Sequence, residues 1–384
     1  MEKLIRKYND KLFNHGLTEK DAPIIGTLDA EIIWNKTNKT TNILEKLFKT
    51  LNINSIIFSE PAEPYKTIIE YLYKTSNKVI YPEDTETRTF LHELPYTKGF
   101  NIQTIANILK ERKSLIIQGH GIITFGTVSP EQAFVTFSSV CFAIYVKFFS
   151  DYLEHKKRRT ITNEEEKTFN KIILMINPYP EFTFSLMKGP FNKKKVYKAM
   201  DEAGKITVKS KLVDSYFGNI SYLIDDIIYI SQTGSSLDEL DGYIDPCPID
   251  NSSCAGITAS SELSAHKQIY LDTENRAILH GHPKFSVILS MDCDQRDICK
   301  YKDQCHIKCP YKRFVNDIPI VPGEVGTGPY GLYKTMPPAI KGKRGIIVYG
   351  HGVFTACKKD FNEAFKNLLS IEKMCKQEYF RRVL

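Results

Sequence analysis

The chain has 384 residues, 42% hydrophobic and 25% charged, which excludes a disordered or fibrous class and suits two or three domains with real cores. Lys and Arg exceed Asp and Glu by 52 to 45, a net charge of +7. The excess gathers in Lys156-Lys157-Arg158-Arg159 and Lys193-Lys194-Lys195 rather than along a stripe, which reads as a solvated linker and helix face and argues against nucleic acid as a partner.

In chain order, Met1-Glu2-Lys3-Leu4-Ile5-Arg6-Lys7 lacks the apolar stretch of a signal peptide. Ser55-Ile56-Ile57-Phe58-Ser59-Glu60-Pro61 is an apolar strand-like run that ends in a turn signal. A second run closes on Gln118-Gly119-His120-Gly121. The longest apolar run, 134–149, contains Thr136, Ser138, Ser139 and Lys147 and is too short to span a bilayer. It predicts a buried helix in a cytoplasmic protein with no membrane partner. A charged helix and then an extended strap are expected between residue 152 and about residue 189, and a helix over 193–203, stopped by Gly204. Further strands are expected at 227–230, 276–281, 318–321 and 345–349, and further helices at 261–270 and from Phe361 to about Arg381. These elements make a three-layer α/β class.

An internal repeat organises the chain. Gln118-Gly119-His120-Gly121 matches Tyr349-Gly350-His351-Gly352, and each is followed in register by a helix cap (Ser129, Asp360) and its box partner (Gln132, Glu363). Upstream, Ser55-Ile56-Ile57-Phe58-Ser59-Glu60-Pro61 corresponds to Ala277-Ile278-Leu279-His280-Gly281-His282-Pro283. The expected boundaries are a degenerate copy over 1–155, a linker helix and strap over 156–186, and an intact copy over 187–384 with a Cys-rich insert at 293–309.

His280, His282 and His351 carry the chemistry. Residues two apart on a strand share a face, so His280 and His282 can serve one ion, and a third imidazole leaves a coordination position open for substrate. The bland alternative, a hydrogen-bonded core histidine, fits each alone but not the three together. In the first copy Phe58 and Glu60 stand where His280 and His282 stand, so His120 is expected to be a structural or interface residue, with Glu60 as a replacement ligand the alternative. Glu262, in Thr258-Ala259-Ser260-Ser261-Glu262, is either a carboxylate for acid/base work or a cap on the helix that starts there.

With these motifs in view, roughly residues 187–384 resemble the class II aldolase/adducin family. The resemblance rests on Phe217-Gly218-Asn219-Ile220-Ser221, Ser231-Gln232-Thr233-Gly234-Ser235-Ser236, Thr258-Ala259-Ser260-Ser261-Glu262, His280-Gly281-His282-Pro283 and Gly350-His351-Gly352. It implies a central, mostly antiparallel sheet flanked by helices, present here as two tandem copies. It further implies Zn2+ or a similar divalent metal on His280, His282 and His351, with Glu262 as the catalytic carboxylate. A phosphate would be held by Gly218, Asn219, Thr233, Gly234, Ser260 and Ser261. The implied function is a lyase that cleaves or forms a C–C bond in a small phosphorylated sugar through a metal-stabilised enediolate. Epimerase, dehydratase or decarboxylase activity on the same chemistry, or a non-catalytic adducin-like binding role, are the alternatives. The aldolase branch calls for a tyrosine acid, for which Tyr301 and Tyr379 are the candidates, and a homo-oligomer, such as a dimer with a pseudo-fourfold arrangement.

Cys293, Cys299, Cys305 and Cys309 depart from that family pattern. Four thiols this close suit an iron–sulfur cluster or structural zinc, although their spacing matches neither a standard ribbon nor a ferredoxin run; disulfides and unbridged thiols are the alternatives. A metal there would gate or shape the site beneath it.

Overall fold

Short apolar runs separated by Gly, Pro and Asn turns condense into two sheets, each within its own compact unit, Met1–Asn177 and Pro178–Leu384. The computed structural model describes residues 1–76, 79–179, 181, 185–214 and 216–384. The N-terminal unit runs α1 (Glu2–Asn14), β1 (Ile24–Leu28), β2 (Ile32–Trp34), α2 (Lys39–Thr50), β3 (Ser55–Ser59), α3 (Tyr65–Thr75), β4 (Val79–Ile80), α4 (Thr85–Leu91), β5 (Leu94–Thr97), α5 (Ile102–Leu109), β6 (Ser114–Ile117), β7 (Gly121–Gly126), α6 (Pro130–Arg158) and α7 (Asn163–Ile173). The C-terminal unit runs α8 (Val196–Lys209), β8 (Asn219–Ile224), β9 (Ile227–Ser231), β10 (Ile244–Pro248), α9 (Leu263–Asp272), β11 (Ala277–Gly281), α10 (Lys284–Met291), β12 (Arg313–Val315), β13 (Ile318–Val321), α11 (Leu332–Ile340), β14 (Ile346–Val348), β15 (Gly352–Cys357) and α12 (Phe361–Val383).

The two sheets share one topology. The first has the order β2-β1-β3-β7-β6-β5-β4 and the second β10-β9-β8-β11-β15-β14-β13-β12. Matched from the centre outwards, the orders coincide, with β10 as an added edge strand. In each sheet one pair is parallel, β5 with β6 and β13 with β14, while the other pairs are antiparallel. Two copies of a mostly antiparallel α/β fold are therefore present. The central strands β3 and β11 are buried along their whole length, as strands covered on both faces must be, and this is why they read as continuous apolar runs. In the second unit, Ile269, Tyr270, Leu332 and Met336 of α9 and α11 pack on Ile278, Ile346 and Phe354. Helices α8, α10 and α12 pack together as the third layer.

Several elements differ from the sequence expectation for identifiable reasons. Helix α8 runs through Gly204 to Lys209. Gly204 is there for space, since a Cβ would lie 2.0 Å from the Leu237 carbonyl oxygen. The apolar run 134–149 sits inside the 29-residue α6, the one helix among the described residues long and apolar enough to cross a membrane by length and composition; 83% of its apolar stretch is buried within the structure. The capping boxes do not form. Ser129 makes no side-chain cap bond, and Gln132 accepts instead from the Val128 N–H at 2.9 Å, while Asp360 caps α12 through the Asn362 N–H. The strap near 177–189 includes residues 180 and 182–184, which lie outside the described residues. Past them Leu186 donates to Asn362 and Met187 to Glu202.

Candidate metal centre

Strand β11 places His280 in the middle of the sheet, opposite Asn219 of β8 and Phe354 of β15, and His282 just beyond its end. The β14–β15 turn supplies His351. Gly350 takes φ 60° there, a conformation that favours glycine, and the His351 N–H closes the turn on the Val348 carbonyl at 3.1 Å. Gly352 lets this hairpin approach. A Cβ on it would lie 2.4 Å from the Gly281 oxygen, 2.8 Å from the His280 ring and 3.1 Å from the His282 ring.

The three side chains are buried, and one ligand atom of each lies within 4.8 Å of the others. His280 Nε2 stands 2.8 Å from His282 Nε2 and 3.2 Å from His351 Nε2. The His280 Nδ1 faces the Val353 carbonyl at 3.0 Å, and a carbonyl only accepts, so Nδ1 carries the proton and the Nε2 lone pair faces the cluster. Burial, reinforced by the other imidazoles, holds His280 and His282 well below the ordinary histidine value, so both are neutral at physiological pH. Aromatic walls fix the rings: Phe354 stacks on His280 at 3.7 Å and Phe217 on His282 at 5.5 Å.

Glu262 occupies the N-cap position of α9 yet makes no side-chain cap bond. Its carboxylate turns inward, with Oε2 3.6 Å from His280 Nε2 and Oε1 3.3 Å from His351 Nε2. Asn219 donates through Nδ2 to Oε2, and the Glu262 N–H donates to Ser260 Oγ at 3.3 Å. Three imidazole nitrogens and a carboxylate, all buried and converging, fit a divalent ion of the zinc type.

Two of the segments predicted to hold phosphate are brought side by side. A bridge between Gln232 and Ala259 brings the turn with Thr233 and Gly234 against the loop with Ser260 and Ser261, and Gly218 lies under the His280 carbonyl. Thr233 uses both donors within this pairing, its N–H on Thr258 and its hydroxyl on Ala259, so it shapes the loop. The Ser260 hydroxyl accepts from Glu262 and retains a proton to donate.

The insert behaves differently. Tyr301 sits between Lys300 and Lys308, whose bonds and charges hold its phenol below the ordinary value. Cys305 has the Cys293 and Cys309 thiols in its electrostatic surroundings, while Cys299 is buried and accepts from the Tyr301 N–H. Among the described residues the imidazole triad is the group that closes to ligating separation; the four cysteines do not. Tyr379 is buried against Phe285.

In the N-terminal unit the corresponding place is filled. Phe58 pairs with Ile24 and Ile123 as His280 pairs with Asn219 and Phe354. Phe100 lies edge-on between Phe58 (5.2 Å) and His120 (5.8 Å), Glu60 pairs with Lys66 at 2.9 Å, and Asn38 closes a capping box at the start of α2.

Two features escaped the sequence reading. His266, wholly buried one turn after Glu262, bonds Ser221 Oγ at 2.7 Å, and that hydroxyl meets Tyr270 at 2.6 Å. Its four-residue spacing from Glu262 was the available signal. Glu372 interrupts the apolar stripe Phe365-Leu368-Leu369-Cys375 of α12, and a buried charge on such a stripe needs a partner.

Residues 198–379 match the model of the Class II Aldolase and Adducin N-terminal domain. No curated protein matches by sequence. Among solved structures, the chain is similar to L-fuculose-1-phosphate aldolase from Thermus thermophilus, at 20% identity over 50% of this chain and 96% of that one, TM-score 0.39. It is also similar to a sugar-phosphate aldolase from Thermotoga maritima, at 19% identity over 49% and 94%, TM-score 0.36. A third is L-fuculose 1-phosphate aldolase from Glaciozyma antarctica, at 14% identity over 51% and 78%, TM-score 0.37. The stretch that matches the class II aldolase and adducin family model, residues 198–379, holds the imidazole triad and Glu262.

Proposed function

We propose that the C-terminal unit is a divalent-metal-dependent lyase that breaks or forms a C–C bond next to a carbonyl in a small phosphorylated sugar. The observation that carries this reading is the orientation of Glu262. A glutamate at a helix N-cap is free to cap that helix, and this one instead faces the imidazole cluster, next to His280 and His351. His280, His282 and His351 would hold the ion, which when bound supplies Lewis-acid stabilisation of the charge developing on a carbonyl oxygen.

The other roles fall to the chain itself. Asn219 fixes Glu262 Oε2, leaving Oε1, on the His351 side, as the oxygen that takes a proton from substrate and returns it. Phe217 and Phe354 keep the rings in place and exclude water, which strengthens every charge interaction inside. Gly218, Gly234, Ser260 and Ser261, with Thr233 and Asn219 shaping their loops, form the wall assigned to the phosphate. Epimerisation or decarboxylation uses the same residues without a leaving-group acid; the burial of Tyr379 favours that second reading over the lyase if Tyr301 proves dispensable.

The test is incubation of zinc-loaded and chelator-treated protein with L-fuculose 1-phosphate and ribulose phosphates, following aldehyde release. Metal-dependent turnover abolished by Glu262→Gln supports the lyase. Interconversion of sugar phosphates without aldehyde release selects the epimerase reading, and metal binding without turnover of any such sugar rejects the enzyme.

A further inference from the structure

We infer that Glu372 and Ser290 are positioning residues that make helix α10 a strut setting the separation of His282 from His351. This inference rests on the metal-site reading above. The two ligands come from segments about seventy residues apart in sequence, yet their rings face one ion site. The β11–β15 pairing joins those segments as far as Gly281 and Val353, and beyond that edge a second tie is needed to hold His282 against His351.

Helix α10 begins two residues after His282, at Lys284, and is buried from Phe285 to Met291. Its own N-cap, Pro283, offers no side-chain oxygen, so its first N–H groups need partners from elsewhere. Glu372 of α12 provides them. Its carboxylate accepts from the Phe285 N–H at 2.9 Å, the Ser286 N–H at 2.8 Å and the Ser286 hydroxyl at 2.6 Å, with the Tyr179 hydroxyl as a fourth donor. A fully buried carboxylate is tolerated only with such a donor set, and here it also meets the positive end of the helix. Each of these bonds restricts how far α10, and with it the His282-Pro283 junction, can shift or turn.

The other end of α10 is tied to the second ligand. Ser290 Oγ accepts from the Gly350 N–H at 2.8 Å, immediately before His351, and donates to the Val287 carbonyl at 2.6 Å. Arg313 clamps the last turn through the carbonyls of Ser290 (2.8 Å) and Asp292 (2.6 Å). One helix therefore carries a hydrogen bond next to each of two ligand segments. Replacing Glu372 by Gln keeps the shape but places an NH2 group among donors, which loosens the first anchor. Ser290→Ala removes the second.

The experiment is zinc affinity of the full chain, measured by competition with a chromophoric chelator, for the wild type, Glu372→Gln and Ser290→Ala. Far-UV circular dichroism and thermal unfolding are recorded in parallel. Outer-shell partners of metal ligands are worth about 10- to 100-fold in affinity, and a loss of that size is expected in each variant while the fold persists. A lower melting temperature with unchanged zinc affinity makes these residues ordinary packing elements and overturns the inference. Should Glu372→Gln fail to fold, Ser290→Ala decides alone, because its side chain is small and its loss leaves the carboxylate in place. Absence of zinc binding by the wild type overturns the metal reading and this inference together; wild-type binding with unaffected variants overturns this inference only.

Discussion

Gly352→Ala is a one-carbon probe of how the metal centre is assembled. Gly352 does not take a positive φ, so alanine suits its backbone and the only penalty is space. The added Cβ would lie 2.4 Å from the Gly281 oxygen, 2.8 Å from the His280 ring and 3.1 Å from the His282 ring, and ordinary contact starts near 3.4 Å. The carbonyl must therefore retreat by roughly 1 Å, and it belongs to Gly281, itself closely approached: a Cβ there would lie 2.5 Å from the Leu212 oxygen. Overpacking of this kind destabilises by about 1–3 kcal/mol, or a melting shift of roughly 2–12 °C in a unit of this size. A displacement of roughly 1 Å at a site can also cost about 100-fold in rate. The assay pairs thermal unfolding with chelator competition. Gly328→Ala, with open space around it, is the neutral control. Gly121→Ala tests the equivalent turn in the unit without a triad: it meets the Ser59 oxygen at 2.3 Å and, at φ 127°, adds backbone strain to the crowding, so it should lower the melting temperature of the N-terminal unit without touching metal affinity. If Gly352→Ala melts and binds zinc like the wild type, the close-approach argument is wrong.

Four further outcomes are expected. His282→Ala abolishes metal binding while His120→Ala retains it, read by elemental analysis after dialysis; equal loss in both rejects the division of labour between the copies. Glu262→Gln keeps the metal and lowers kcat by about 100- to 10,000-fold, the range for a positioned acid/base group, and a smaller loss would return Glu262 to a structural role. Burial lowers the His266 pKa from 6.5 to about 3, so the folded state resists a proton that the unfolded chain accepts. Its contribution is present above pH 6.5 and is lost on the way down towards pH 3, at up to about 1.4 kcal/mol per pH unit; urea titrations at pH 7 and pH 5 that give equal stability would contradict this. Elemental analysis should return one divalent ion per chain at the triad, and a second equivalent removed by Cys305→Ser would assign a soft metal to the insert.

Much of the scaffold was legible because its signals are local. Continuous apolar strand runs, the glycine-histidine-glycine turns and the correspondence of Phe58 with His280 all follow from short stretches of sequence, and the strand registers reproduce that correspondence. The triad was legible for the same reason. What the sequence withheld depends on distant partners. Gly204 reads as a stop until the Leu237 carbonyl is seen against it, and the direction of the Glu262 carboxylate is set by Asn219, a residue 43 positions away. Glu372 reads as one more charge on a long helix until its four donors, which come from α10 and the strap, are seen around it.

The edge-on rings of Phe58, Phe100 and His120 give this polypeptide an internal blank. A spectroscopic ion such as cobalt, added to the intact protein, would report on one imidazole site rather than two despite the doubled architecture. Restoring a second centre would mean clearing benzene rings before adding nitrogen donors, so ligation would not return to the first copy by single substitutions.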